Sequence, residues 1–103
     1  MNFACLTIFP EMFEAFREYG IVKRAIQQNK INVVTVNIRN FARGRHLAVD
    51  DRPFGGGCGM VMKPEPLAAA IRNAEEIFRD AKKILLTPQG RVFDQKWQRI
   101  FLL

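Results

Sequence analysis

The chain has 103 residues, 49% of them apolar, which bounds it to one domain with enough hydrophobic material for a core and sets it apart from disordered chains. Net charge is +6 with a pI near 9.9, a balance that suits a polyanionic partner. No apolar run reaches the roughly 18 residues of a membrane span, the N-terminus lacks the basic region and cleavage site of a signal peptide, and Cys5 and Cys58 have no CxxC partner. Zinc and thiol redox chemistry are therefore unsupported, and both cysteines read as reduced thiols of a cytoplasmic protein.

Asn2 to Ile8 is nearly continuously apolar, as expected of a parallel strand covered on both faces. Phe9-Pro10-Glu11 starts a helix, because proline suits its first position and glutamate its positive end. Met12, Phe13 and Phe16 form the expected inward stripe, with Phe9 and Phe13 as an aromatic staple, and Gly20 stops the helix. A second short helix is expected over 21–28, with Val22, Ala25 and Ile26 inward and Lys23 and Arg24 outward. Asn29-Lys30 turns the chain into Ile31 to Ile38, a β-branched strand.

Arg39 to Lys63 carries no convincing helix or strand. A structureless stretch of about 25 residues exceeds ordinary connections, and such loops tend to be functional. It holds the single histidine, His46, and the run Asp50-Asp51-Arg52-Pro53-Phe54-Gly55-Gly56-Gly57-Cys58-Gly59-Met60. Four of the chain's 7 glycines fall here. Glycine visits positive φ at little cost and lets a ligand approach the backbone. Such a loop can point N–H groups at an anion or a base edge. Asp50 and Asp51 can position backbone N–H groups or anchor arginines; as a metal pair they lack further nearby ligands. Arg39, Arg43, Arg45 and Arg52 lead into the glycines, and the arginine fork matches phosphate.

Pro64-Glu65-Pro66 opens a helix expected to run to about Asp80, with Leu67, Ile71, Ala74 and Phe78 as its packing stripe. Ile84-Leu85-Leu86 reads as a short buried strand, the third of the sheet. Thr87-Pro88-Gln89-Gly90 follows as a rigid turn at its carboxyl end, where open α/β sheets bind ligands. Asp94 to Phe101 reads as a helix, and Arg91, Lys96 and Arg99 form a second basic group. Phe101-Leu102-Leu103 leaves an apolar end that looks cut. The glycine run is neither a Walker A loop nor a Rossmann fingerprint, since no Gly-Lys-Ser/Thr follows and no strand precedes it. No triad or Cys/His pair follows from spacing.

Three motifs, in order, resemble those of the bacterial tRNA (guanine-N1)-methyltransferase family. Leu6-Thr7-Ile8-Phe9-Pro10-Glu11-Met12-Phe13 is similar to its opening Leu-Phe-Pro-Glu-Met-Phe. Asp50 to Met60 resembles Asp-Asp-x-Pro-Tyr-Gly-Gly-Gly-Pro-Gly-Met, and Leu86 to Arg91 resembles Leu-Ser-Pro-Gln-Gly-Arg. Cys58 stands where proline is usual, Phe54 where tyrosine is usual, and Gly44 where an acidic residue is common.

The resemblance implies an α/β fold: a mostly parallel sheet flanked by helices, the N-terminal half of a trefoil-knot (SPOUT) methyltransferase domain, with the knot in the part not present. The family enzyme is more than twice as long, so 1–103 is expected to be a truncated part of one such domain and inactive alone. The implied activity is methyl transfer from S-adenosylmethionine to N1 of guanosine 37 in tRNA, by a homodimer. Leu85, Leu86, Thr87, Pro88 and Gly90 are the implied cofactor wall. His46, Asp50, Arg52, Phe54, Gly55, Gly56, Gly57 and Gly59 are the implied tRNA-contacting set, while the catalytic groups are expected in the other half and no metal is implied. A non-catalytic RNA- or phosphate-binding module and an inert gene remnant stay open as alternatives.

Overall fold

The computed structural model describes residues 1–102. Strand β1 (Asn2–Thr7) and strand β2 (Asn32–Asn37) pair in parallel, Leu6 opposite Val36 and Cys5 opposite Thr35. A parallel pair cannot be joined by a tight turn. Here the crossover is helix α1 (Pro10–Glu18) followed by helix α2 (Gly20–Gln27). The expected helix start is observed: Pro10 sits in the first turn with Glu11, and the Thr7 hydroxyl accepts from the Phe9 N–H at 3.0 Å. Gly20 does not cap α1 but opens α2, its φ of +68° supplying the bend between two nearly continuous helices. Asn29, at φ +57°, turns the chain back, and Met1 and Lys30 extend the pairing past the strand ends.

The core lies on one face of the pair. Val36, Ile38, Val49 and Ala70 are buried together, and Leu6, Ile8, Phe41, Ala42, Leu67 and Ala74 pack around them. Helix α3 (Pro64–Ile77) supplies Leu67, Ala70 and Ala74. Ala70 is wholly buried, so its small side chain is what lets the helix axis approach the sheet. A larger residue there would overpack, at about 1–3 kcal/mol. Strand alternation sends Val33 to the other face, where it too is buried.

Three expectations need correction. On α1, Met12 and Phe16 are not inward but 70% and 56% exposed, and Phe9 is 54% exposed, so of the expected staple only Phe13 is half-buried. Among the described residues nothing covers that side of α1, so the stripe stays in solvent. On α2 the assignment holds: Val22, Ala25 and Ile26 are half-buried, Lys23 and Arg24 exposed.

The second correction concerns Arg39 to Lys63, which is not structureless. A 3-10 turn spans Ile38–Phe41, and strands β3 (Asp50–Asp51) and β4 (Val61–Met62) form a short antiparallel hairpin. Two-residue strands give too little periodicity to be read from sequence.

The third concerns Ile84-Leu85-Leu86. They form no strand and are 59%, 83% and 90% exposed. Their apolar run signals burial, but a strand also needs a partner edge, and among the described residues none pairs with them. Helix α3 also ends earlier than expected, at Ile77 rather than about Asp80, with Phe78 leaving the helical conformation and Asp80 at φ +60°. Helix α4 (Gln95–Leu102) follows, capped by the Asp94 carboxylate accepting from the Trp97 N–H at 3.1 Å. The side chains expected to form an apolar end at Phe101, Leu102 and Leu103 lie outside what the structure describes. The radius of gyration is 15.8 Å, against about 13 Å for a compact domain of 100 residues, because the chain after α3 runs outward.

Candidate functional site

Val49 is the anchor of the glycine loop. Its side chain is 1% exposed within the core, and its carbonyl accepts from the Lys63 N–H at 2.6 Å. Next to it, Asp50 pairs with Met62 and Asp51 with Val61. The hairpin is thereby tied to the core at its base, while the loop it carries, Arg52 to Met60, stands in solvent. Sequence reasoning missed Val49; the available signal was one apolar residue directly before two aspartates.

Within the loop, the Asp51 carboxylate accepts from the Arg52 N–H at 2.7 Å, and the Gly56 N–H donates to the Pro53 carbonyl at 3.1 Å, closing a turn. The expected use of an aspartate to position a backbone N–H is thus met by Asp51. Gly55, Gly56, Gly57 and Gly59 have φ of +81°, +86°, +121° and +85°. This is the region that favours glycine over every residue with a Cβ. A Cβ at any of the four would meet nothing within 4 Å, so conformation rather than crowding requires glycine here. Phe54 stands fully exposed at the tip.

The hairpin gathers Asp50, Arg52, Phe54 and the glycines on one element. His46 lies outside it, exposed, in the Gly44–Leu47 turn, which a 3.4 Å bond from Leu47 N–H to the Gly44 carbonyl closes. Arg43 and Arg45 are exposed beside it, and Arg39 is half-buried.

The Thr87-Pro88-Gln89-Gly90 segment is a turn, as expected, closed by the Gly90 N–H donating to the Thr87 carbonyl at 3.1 Å. A Cβ on Gly90 would lie 3.2 Å from that carbonyl, so glycine keeps the turn tight. The turn ends no strand, and Leu85, Leu86, Thr87, Pro88 and Gly90 are all exposed. The structure therefore brings the loop set together on a built support and leaves the other set as a single open wall. Two open clefts, of about 510 and 350 Å³, are lined by Glu75, Arg79 and Lys83 and by Met1, Ile26 and Asn29 among others, and include no residue of either set. Among the described residues, no three His, Cys, Asp or Glu side chains converge as a metal site would require.

Both cysteines are free thiols; Cys58 is exposed in the glycine loop. Cys5, half-buried in β1, has its thiol pushed above the ordinary value by burial, which disfavours the thiolate.

The tRNA (Guanine-1)-methyltransferase TrmD family model matches residues 1–101. A tRNA (guanine-N(1)-)-methyltransferase of Desulfatibacillum aliphaticivorans is 57% identical over 93% of this chain and 37% of its own length. One of the same name from Thermosipho africanus is 48% identical over 91% of this chain and 38% of its own. The crystal structure of tRNA (m1G37) methyltransferase from Aquifex aeolicus superposes with a TM-score of 0.69 at 42% identity, covering 76% of this chain and 35% of that one. The chain thus spans little more than a third of the length of these relatives, and its α/β fold is that of one part of them. By the match over residues 1–101, the chain belongs to the tRNA (Guanine-1)-methyltransferase family.

Proposed function

We propose that this chain supplies the guanosine-side loop and one cofactor wall to an enzyme that methylates N1 of guanosine 37 in tRNA, next to the anticodon. The observation that carries the reading is the glycine loop. Four positive-φ glycines on a hairpin tied to the core give a fixed, bare backbone edge flanked by the exposed Phe54 ring and Arg52. A merely flexible linker would need no such support. The family membership supplies the reaction class.

The Leu85 to Gly90 segment fits the methyl donor as one wall. Leu85 and Leu86 offer apolar side chains to a flat adenine face, and the closed Thr87–Gly90 turn offers backbone groups to its edge. S-adenosylmethionine, when bound, provides a methyl group activated by a sulfonium. This chain's own residues bind and orient, and methyl transfer to N1 also needs a base to take the N1 proton. The whole enzyme is read as a homodimer acting in the cytoplasm. Two observations agree with that location: the two thiols are free, and no helix among the described residues is long and apolar enough to cross a membrane.

Gly56→Val in the full-length enzyme carrying this segment tests the reading. The Cβ and β-branch oppose φ +86°, at about 1–2 kcal/mol for a left-handed residue. The loop is open and relaxes rather than carrying that strain, so the melting temperature should fall by no more than a few degrees, while tRNA methylation falls about tenfold or more through lost placement. Unchanged methylation would remove the loop from the site.

A further inference from the structure

We infer that the start of α4 carries a second RNA-contacting surface, built on Arg91 and Trp97 with Lys96 and Arg99, which takes a single-stranded segment of RNA. The inference rests on the reading of tRNA as substrate.

Charge is the first ground. Residues 91–99 hold Arg91, Lys96 and Arg99 against a single acid, Asp94, whose carboxylate already has an oxygen engaged by the Trp97 N–H. Lys96 and Arg99, three apart on α4, share a helix side and are exposed.

Aromatic geometry is the second ground. The Arg91 guanidinium lies 5.5 Å from the centroid of the Trp97 ring, while Arg91 itself is exposed. That contact holds a flat, cationic plane at the surface. Guanidinium planes and aromatic rings are the surfaces on which splayed-out bases stack. Phe93, 67% exposed, stands between the two partners in sequence. Lys96 and Arg99 lie on a different side of α4 from Trp97, so they meet phosphates further along a strand that wraps the helix start rather than those beside the stacked base. An acidic peptide would satisfy the charge but leave the stacked plane without purpose.

The chain's single tryptophan makes the test direct, since Trp97 is the only indole. Unlabelled single-stranded RNA with an anticodon-loop sequence is titrated into the 103-residue chain while Trp97 fluorescence is followed. Anisotropy of a fluorescein-labelled copy of that RNA is measured in parallel. Saturable quenching that tracks anisotropy is expected, and Arg91→Gln should reduce the quench. Lys96→Gln/Arg99→Gln should keep the native circular dichroism spectrum and lower the slope of log K against log salt by about 1.4, the loss of two single-strand phosphate contacts. Anisotropy-detected binding without any Trp97 response overturns the inference, as does an unchanged slope in the double variant or equal quenching by polyglutamate. Binding that Arg43→Gln/Arg45→Gln abolishes and Lys96→Gln/Arg99→Gln leaves intact overturns it too, but spares the tRNA reading. Absence of any RNA binding at low salt overturns both.

Discussion

Residues 1–78 and residues 79–102 are comparable in apolar fraction and use it to opposite ends. In the first region, β1, β2 and α3 enclose Val36, Ile38, Val49 and Ala70. In the second, Leu85, Leu86, Val92 and Phe93 are between 67% and 90% exposed, and only Trp97 is half-buried up to Ile100. Each region carries one half of the candidate site. The glycine loop belongs to the first and inherits its position from Val49. The Leu85–Gly90 wall belongs to the second and has only its own turn to hold it. The loop is therefore built by contacts within the chain, whereas the wall depends on cover these residues do not provide.

The largest expected effect separates the two regions by the same chemical change. Val49→Asp puts a charge into the core at a cost of several kcal/mol, comparable to the whole stability of a small domain. Circular dichroism should show loss of the cooperative melt. Leu86→Asp, at a site 90% exposed, should shift stability by no more than about 0.5 kcal/mol. Equal sensitivity at both positions would mean that residues 79–102 are packed in solution and the comparison fails.

A smaller effect sharpens the contrast within the first region. Cys5 lies in β1 beneath partial cover and Cys58 in the open loop. Iodoacetamide should alkylate Cys58 first and Cys5 slowly, as followed by mass spectrometry. Burial raises the Cys5 thiol in the folded state, so the folded chain holds that proton more tightly than the unfolded one. Its stabilising contribution is complete below the ordinary thiol range and is lost as pH rises through the raised folded value. Cys5→Ser should flatten stability across that alkaline window. An unchanged slope would show that Cys5 is as solvated folded as unfolded.

What was legible in the sequence follows the same division. The parallel strands, α2 with its inward Val22, Ala25 and Ile26, and α3 were readable because periodicity, β-branching and proline placement all act locally. The positive φ of the loop glycines was readable because glycine alone tolerates it. The β3–β4 hairpin was not, since its register is fixed by Val49 entering a core formed by distant segments. Ile84 to Leu86 misled because an apolar triplet reports a preference for burial and says nothing about what would bury it. The exposure of Met12 and Phe16 on α1 was hidden for the same reason. The Arg91–Trp97 contact pairs residues six apart across the loop-to-helix boundary, a spacing with no periodic signature.

If the glycine loop and the Leu85–Gly90 segment belong to one site, the loop has its own support in these residues and the wall has only its turn. Calorimetry of the 103-residue chain with S-adenosylmethionine, alongside a radiolabelled methyl-transfer assay on tRNA, tests this. A few backbone hydrogen bonds in water net about 0.5–1.5 kcal/mol each, which does not offset an association entropy of about 4–15 kcal/mol. Binding should be millimolar or weaker with no turnover, while the full-length enzyme carrying the same segment should bind and methylate. Micromolar affinity, or turnover by the 103-residue chain itself, would contradict it.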